Sequence, residues 1–171
     1  MTRILGISGS LRAGSFNTAL LRAAQGVAGD GIELEVATLH GIPAAVQALK
    51  EKIIAADGVL IATPEYNNGV PGVLKNGIDW LSRPPADVPK LFKDRPFALM
   101  GASPGNFGTI LSQAAWLPIL RTLNARYWAG PKMLVSRASA VFDASGQLTD
   151  HDVARKLGEF LQGFAAFAAK K

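Results

Sequence analysis

Ser8, Ser10, Arg12, Ser15 and Asn17 fall close together in the stretch Ser8-Gly-Ser-Leu-Arg-Ala-Gly-Ser-Phe-Asn17, with Gly9 and Gly14 between them. Hydroxyls donate hydrogen bonds, glycines let backbone N–H groups close on a ligand, and the guanidinium fixes a positive charge. That set suits an anion of phosphate size. The residues that must position it are readable on both sides. Ile4, Leu5 and Ile7 make an apolar run too short for a helix, and from Ser15 onward Phe16, Ala19, Leu20, Ala23 and Ala24 recur at helical spacing. Strand, loop and helix follow, with the anion at the favourable end of the helix dipole. Two common phosphate loops are excluded by spacing. Gly9 to Ser15 imitates G-x-x-x-x-G-K-[ST] but has no lysine before Ser15, and Ser8 stands where G-x-G-x-x-G needs its second glycine. Taken alone, the loop also fits a plain strand-to-helix turn capped by Ser15.

A second stretch decides between these readings. After an apolar strand, Gly58 to Thr63, the chain reads Pro64-Glu-Tyr-Asn-Asn-Gly-Val-Pro-Gly-Val-Leu-Lys-Asn-Gly-Ile-Asp-Trp80. With Gly-Ser-Leu-Arg-x-x-Ser-Phe-Asn and Pro-Glu-Tyr-Asn-x-x-x-Pro-Gly-x-Leu-Lys-Asn-x-x-Asp-Trp both present, the chain resembles the NADPH-dependent FMN reductase family from Ile4 to about Phe164. The resemblance implies a flavodoxin-like fold, bound FMN, NADPH or NADH as reductant, and a small-molecule electron acceptor such as a quinone, flavin, azo dye or chromate. It implies the FMN phosphate on Ser10, Arg12, Ser15, the Phe16 backbone and Asn17. Pro64, Glu65, Tyr66 and Asn67 would follow the polar edge and one face of the ring. Ser103, Gly105 and Gly108 match the family loop that closes over the flavin. Because the flavin N5 carries the hydride, no catalytic side chain is named. A homodimer or homotetramer is implied as well. Two departures stand out: the family's longer acidic, Pro-containing loop is shortened here to Leu39–Pro43, and Thr109, Ile110 and Leu111 replace its usual glycine and basic residue.

The rest of the chain supports a single α/β domain over 1–171 on its own terms. Length and a 49% hydrophobic content allow one sizeable core. Ile32, Leu34 and Val36 alternate with Glu33 and Glu35, which predicts an edge-side strand, whereas Gly58 to Thr63 and Pro96 to Ala102 are continuous apolar runs suited to buried parallel strands. Met133 to Ser136 predicts the last strand, preceded by an extended piece around Tyr127 and Trp128. Helices are predicted over Ala44–Ala56, Val73–Ser82, Thr109–Leu123 with an interruption at Pro118, and a final amphipathic segment after Thr149 whose face is Val153, Leu157, Phe160, Leu161, Phe164 and Phe167. Arg83 to Lys93 reads as a Pro-rich surface connection, and Asp79 and Trp80 as helix packing. Five strands alternating with five helices predict a doubly wound five-stranded parallel sheet, order 2-1-3-4-5, with helices on both faces and ligands beyond the strand carboxyl ends.

Several function classes fall away. The chain has no cysteine, so disulfides and thiolate chemistry are excluded and redox work passes to a cofactor. His40 reads as an exposed loop residue, and with only His151 as a distant companion no metal site is expected. The net charge of +5 comes from scattered residues without a basic stripe, which argues against nucleic acid. No signal pattern or membrane-length apolar stretch is visible, so a cytoplasmic protein with no membrane partner is expected. Two alternatives remain open from sequence: an electron-carrier flavodoxin, disfavoured by the basic charge and the lack of paired aromatics, and a flavin-free phosphate-binding protein, which has no use for the second motif.

Overall fold

Strand β1 (Thr2–Ser8) sends Ile4 to one side of the sheet and Leu5 and Ile7 to the other, and its neighbours repeat the division. In β3 (Gly58–Ala62) Leu60 and Ala62 join the first side while Val59 and Ile61 join the second. In β4 (Pro96–Ala102) Ala98, Met100 and Ala102 oppose Phe97 and Leu99. Period-two alternation of residues that are apolar on both sides requires cover on both faces, and that makes a parallel α/β sheet. The computed structural model describes residues 1–170. In it α1 (Phe16–Val27) and α7 (His151–Ala168) cover the first face. The second lies under α2 (Val46–Ala55), α3 (Gly72–Leu81), α4 (Val88–Leu91) and α5 (Ile110–Thr122).

The strand order is β2 (Ile32–Thr38), β1, β3, β4, then β5 (Arg126–Tyr127), all parallel. This is the expected 2-1-3-4-5 order. From β1 the chain goes first outward to β2 and then back to β3 on the other side, so the order in which strands are added reverses between β1 and β3, where ligands bind in such folds. Gly6 lets α1 sit close, since a Cβ there would meet Leu21.

The fifth position differs from expectation. It is filled by two short strands, because β5 pairs with the start of β4 and β6 (Met133–Val135) with its end, through Met100, Gly101 and Ala102. Between them Trp128 packs edge-on to Phe160, with ring centroids 4.9 Å apart, and that aromatic anchor takes the chain out of the ladder. Helices are also more numerous. The Pro-rich connection is not all surface, because it winds through a 3-10 turn (Pro85–Asp87) into α4 and buries Leu91 and Phe92 completely. A four-residue α6 (Ala138–Val141) follows β6. Helix α5 runs unbroken through Pro118, with Thr122 Oγ1 donating back to the Pro118 carbonyl at 2.9 Å. Trp80 is 45% exposed rather than packed, and Asp79 pairs with Lys75 on the same helix. No described helix is long and apolar enough to cross a membrane.

Candidate active site

Three connections leave the carboxyl ends of neighbouring strands: loop 1 (9–15) after β1, loop 2 (63–71) after β3, and loop 3 (103–109) after β4. Loop 1 is braced by its own hydroxyls. Ser8 Oγ bonds Thr18 Oγ1 at 2.8 Å, and the Arg12 N–H donates to Ser10 Oγ at 3.3 Å. Ser15 is the N-cap of α1, its Oγ accepting from the Asn17 and Thr18 amides, so the turn reading and the ligand reading describe one structure. Gly14 takes φ +66°, a conformation glycine adopts without strain. Gly9 is a close-approach position, since a Cβ there would strike Leu74, Pro64 and the Ala62 carbonyl; its N–H donates to that carbonyl at 2.9 Å. Ser10 and Ser15 are buried, while Arg12 is exposed and its guanidinium makes no ion pair or hydrogen bond among the described residues. The Phe16 side chain packs tilted against Phe142, which leaves its backbone at the first turn of α1 facing the loop.

Asn17 lies in the first turn of α1, directly after loop 1, and its side chain is bonded to β4. Nδ2 donates to the Ala102 carbonyl and Oδ1 accepts from the Ala102 amide, both at 3.0 Å. A buried amide satisfied at both ends ties loop 1 to the end of β4.

Loop 2 contains a two-residue reversal. Tyr66 and Gly69 exchange backbone hydrogen bonds at 3.2 and 3.0 Å, and Asn67 and Asn68 between them take φ 49° and 60°. Two successive left-handed residues make a type I′ turn, and asparagine tolerates that region better than any other residue except glycine. Tyr66 stands at its base, 42% exposed. Pro64 is buried. Glu65 is half-buried and turned onto α5: its Oε2 accepts from the Leu111 and Ser112 amides at 2.8 and 3.0 Å. Helix α5 has no acidic residue in its first turn and no side-chain cap of its own, so Glu65 supplies the missing negative charge. Behind it runs a buried polar chain. Trp116 Nε1 donates to Thr63 Oγ1 at 3.1 Å, Ser112 Oγ lies 2.8 Å from the same hydroxyl, and Thr63 Oγ1 reaches the Pro64 carbonyl at 3.0 Å.

Loop 3 is clamped from the β6–α6 side. Ser103 donates its amide to Val135 at 2.9 Å and accepts from the Ala138 amide, while Arg137 donates its amide to Gly105 at 2.8 Å and its Nε to Asn106 Oδ1 at 3.0 Å. Gly108, at φ +61°, packs against Leu134. Phe107 projects from the tip, 77% exposed.

The model of one family, NADPH-dependent FMN reductase, matches residues 2–140, a range that contains all three loops. The chain belongs to that family. An NAD(P)H-dependent FMN reductase of Pseudomonas aeruginosa is 44% identical over 167 residues, covering 91% of this chain and 88% of that protein. A 2-hydroxy-1,4-benzoquinone reductase of a Burkholderia species is 32% identical over 176 residues, covering 96% and 95%. A flavoenzyme NAD(P)H:(acceptor) oxidoreductase from Paracoccus denitrificans superposes with a TM-score of 0.86 at 31% identity, covering 99% and 98% of the two chains.

In this NADPH-dependent FMN reductase fold the structure brings Ser10, Arg12 and Ser15 together in loop 1 with Phe16 at the start of α1, and Pro64, Tyr66 and Asn67 in the next loop. Ser103, Gly105 and Gly108 share the third. The donor set of loop 1 fits the phosphate of FMN: buried hydroxyls, a helix N-terminus, a close-approach glycine and a free guanidinium. Glu65 and Asn17 stand among these residues with their side chains bonded to backbone of other elements, Glu65 to the first turn of α5 and Asn17 to the end of β4. Sequence reasoning did not single out Arg137, Thr63 or Ser112. Only the Glu65 pairing left a readable trace, in the uncapped first turn of α5.

Proposed function

We propose that this chain is an FMN-dependent NAD(P)H oxidoreductase that reduces a quinone or a similar small acceptor, working as one FMN-binding domain and as a cytoplasmic homodimer. The observation that carries the reading is the frame: loops 1, 2 and 3 leave the carboxyl ends of adjacent strands, where a ligand crevice is expected, and Asn17 anchors the start of α1 to the end of β4, Glu65 anchors loop 2 to α5, and Arg137 anchors loop 3 to the β6–α6 connection. Within that crevice Ser10, Arg12, Ser15 and the Phe16 amide would hold the phosphate. Pro64, Tyr66, Asn67, Ser103, Gly105 and Gly108 would flank the ring. FMN supplies the capacity to accept a hydride and pass it on. The protein's own part is to bind, orient and exclude water. Donors in loop 3 aimed at the polar edge of the ring would favour the negative charge that reduction places there. Glu65, turned onto α5, takes no part as an acid.

One crevice also means that reductant and acceptor exclude one another, so parallel double-reciprocal lines are expected with NAD(P)H and a quinone as varied substrates. Intersecting lines would count against a shared crevice. The homodimer reading is supported by Ile110, Leu111 and Leu117 on the outer side of α5, all partly exposed and apolar. The decisive experiment is chromatography of the chromophore released from purified protein. FMN is expected, because there is one phosphate-sized loop. Release of FAD, or a colourless protein that ignores added FMN, would overturn the proposal.

A further inference from the structure

A cavity of about 1010 Å³ lies apart from loops 2 and 3. It starts at loop 1 and extends along the outward side of α1, bounded by Thr38 and His40 at the end of β2 and by the 143–148 turn. None of Pro64–Asn67 or Ser103–Gly108 lines it. Its charge is distinctive. Arg12 and Arg22 both border it, both are exposed, and neither makes a side-chain hydrogen bond or ion pair among the described residues. The one carboxylate present, Asp143, is turned onto its own loop, where it accepts from the Ser145 hydroxyl at 2.7 Å and from the Ser145 and Gln147 amides at 2.9 Å. Ala23 and Leu148 contribute apolar wall between the charges.

We infer that this cleft receives the adenosine 2′-phosphate end of NADPH, and that Arg22 is the residue by which the protein tells NADPH from NADH. The inference rests on the NAD(P)H reading given above. A dinucleotide is much longer than FMN, so one whose nicotinamide reaches the ring crevice must carry its adenosine half beyond the phosphate loop. Two directions are open to it. Towards loop 3 the nearby cation, Arg137, is engaged with Asn106. On the far side of loop 1 the cleft lies open, and Arg22 stands seven residues after the Ser15 cap, roughly 10 Å further along the α1 axis. A guanidinium without a partner beside an apolar wall is suited to a phosphate monoester on a nucleoside, and the 2′-phosphate is the one group that NADPH has and NADH lacks.

The test uses the FMN-loaded protein, so that loop 1 is already filled. Calorimetric titration should show adenosine 2′,5′-bisphosphate binding about tenfold more tightly than 5′-AMP, and Arg22→Ala should remove that preference. In steady-state assays the same variant should raise KM for NADPH about tenfold and leave KM for NADH within about twofold, with the flavin absorbance retained; Arg22→Lys should restore part of the difference. Equal affinity of the wild-type protein for the two adenosine phosphates, or an unchanged KM for NADPH in Arg22→Ala, overturns the inference while leaving the reductase reading intact. A yellow protein that oxidises neither nucleotide overturns that reading and the inference together.

Discussion

Loop 1 is braced by hydrogen bonds that span two residues, from Arg12 to Ser10, and ten, between Ser8 and Thr18. The joint between loop 2 and α5 is braced across forty-six residues, from Leu111 to Glu65, and forty-nine, between Thr63 and Ser112. The hydroxyls of the first region are braced by near neighbours, so the types and spacing of those residues disclose it, even though Gly9 and Asn17 also reach Ala62 and Ala102. The second exists only once β3, β4 and α5 are assembled, and its side chains look in sequence like ligands of the cofactor. A local brace should therefore be separable from binding, and a non-local brace should not.

The largest effect is expected where the non-local joint is tightest. Gly101 in β4 faces Thr109 and the Thr63 carbonyl so closely that any Cβ would drive into both. Thr63 belongs to the buried chain behind Glu65, and its carbonyl is backbone that accepts little movement. Gly101→Ala should cost about 3 kcal/mol, a fall of roughly 6–12 °C in melting temperature, and should loosen FMN at the same time. A thermal melt within a degree or two of the parent would show that loops 2 and 3 are not held by that contact.

Glu65 separates framing from chemistry. Glu65→Ala leaves the Leu111 and Ser112 amides without their acceptor and should cost about 2 kcal/mol in thermal or denaturant unfolding, with weaker flavin retention. Glu65→Gln keeps an acceptor oxygen at the same place and should lose less than half as much, with turnover within a few-fold of the parent. Abolished turnover in a stable, flavin-loaded Glu65→Gln protein would make Glu65 a proton donor and reverse its assignment here.

The same contrast explains what was legible in advance. The sheet order and the α1 phosphate loop follow from apolar periodicity and from Ser15, whose capping partners are two and three residues away. The bonds that the Asn17 and Glu65 side chains make within the protein were not legible, because residue type and proximity cannot reveal that Ala102 or Leu111 will arrive from across the sheet. Arg137 left no trace at all: arginine is not favoured at φ 48°, and its hold on Gly105 and Asn106 depends on β6 lying beside β4. The break between β5 and β6 was hidden for the same reason, since the aromatic partners of Trp128 lie on α7.

Arg12 sharpens the local side of the comparison. It is exposed, and its guanidinium bonds to nothing described, so Arg12→Ala should leave the melting temperature of the flavin-free protein unchanged. FMN affinity should fall about tenfold, on the order of 1.4 kcal/mol, measured by equilibrium titration of flavin fluorescence. Unchanged affinity would return Arg12 to the role of a solvated loop residue.

The smallest effect belongs to the most local brace of all, the 143–147 turn at the mouth of the α1 cleft. Its Asp143 carboxyl is held below the usual value of 3.8, first by the Ser145 hydroxyl and then by the Gln147 amide. A group whose folded pKa is depressed stabilises the turn fully above its unfolded value and loses that contribution as pH falls through the folded one. Order in the turn should therefore be constant from neutrality down to about pH 4 and decline below it. Because the carboxylate is exposed, the change should be local, visible in hydrogen exchange at the Gln147 amide and absent from the global melt. Asp143→Asn should exchange faster at Gln147 at neutral pH and show no such decline, so that the difference from the parent narrows below about pH 4. If the global melt followed the turn, the cleft wall would be part of the core, and the division between local and non-local braces would fail at its simplest case.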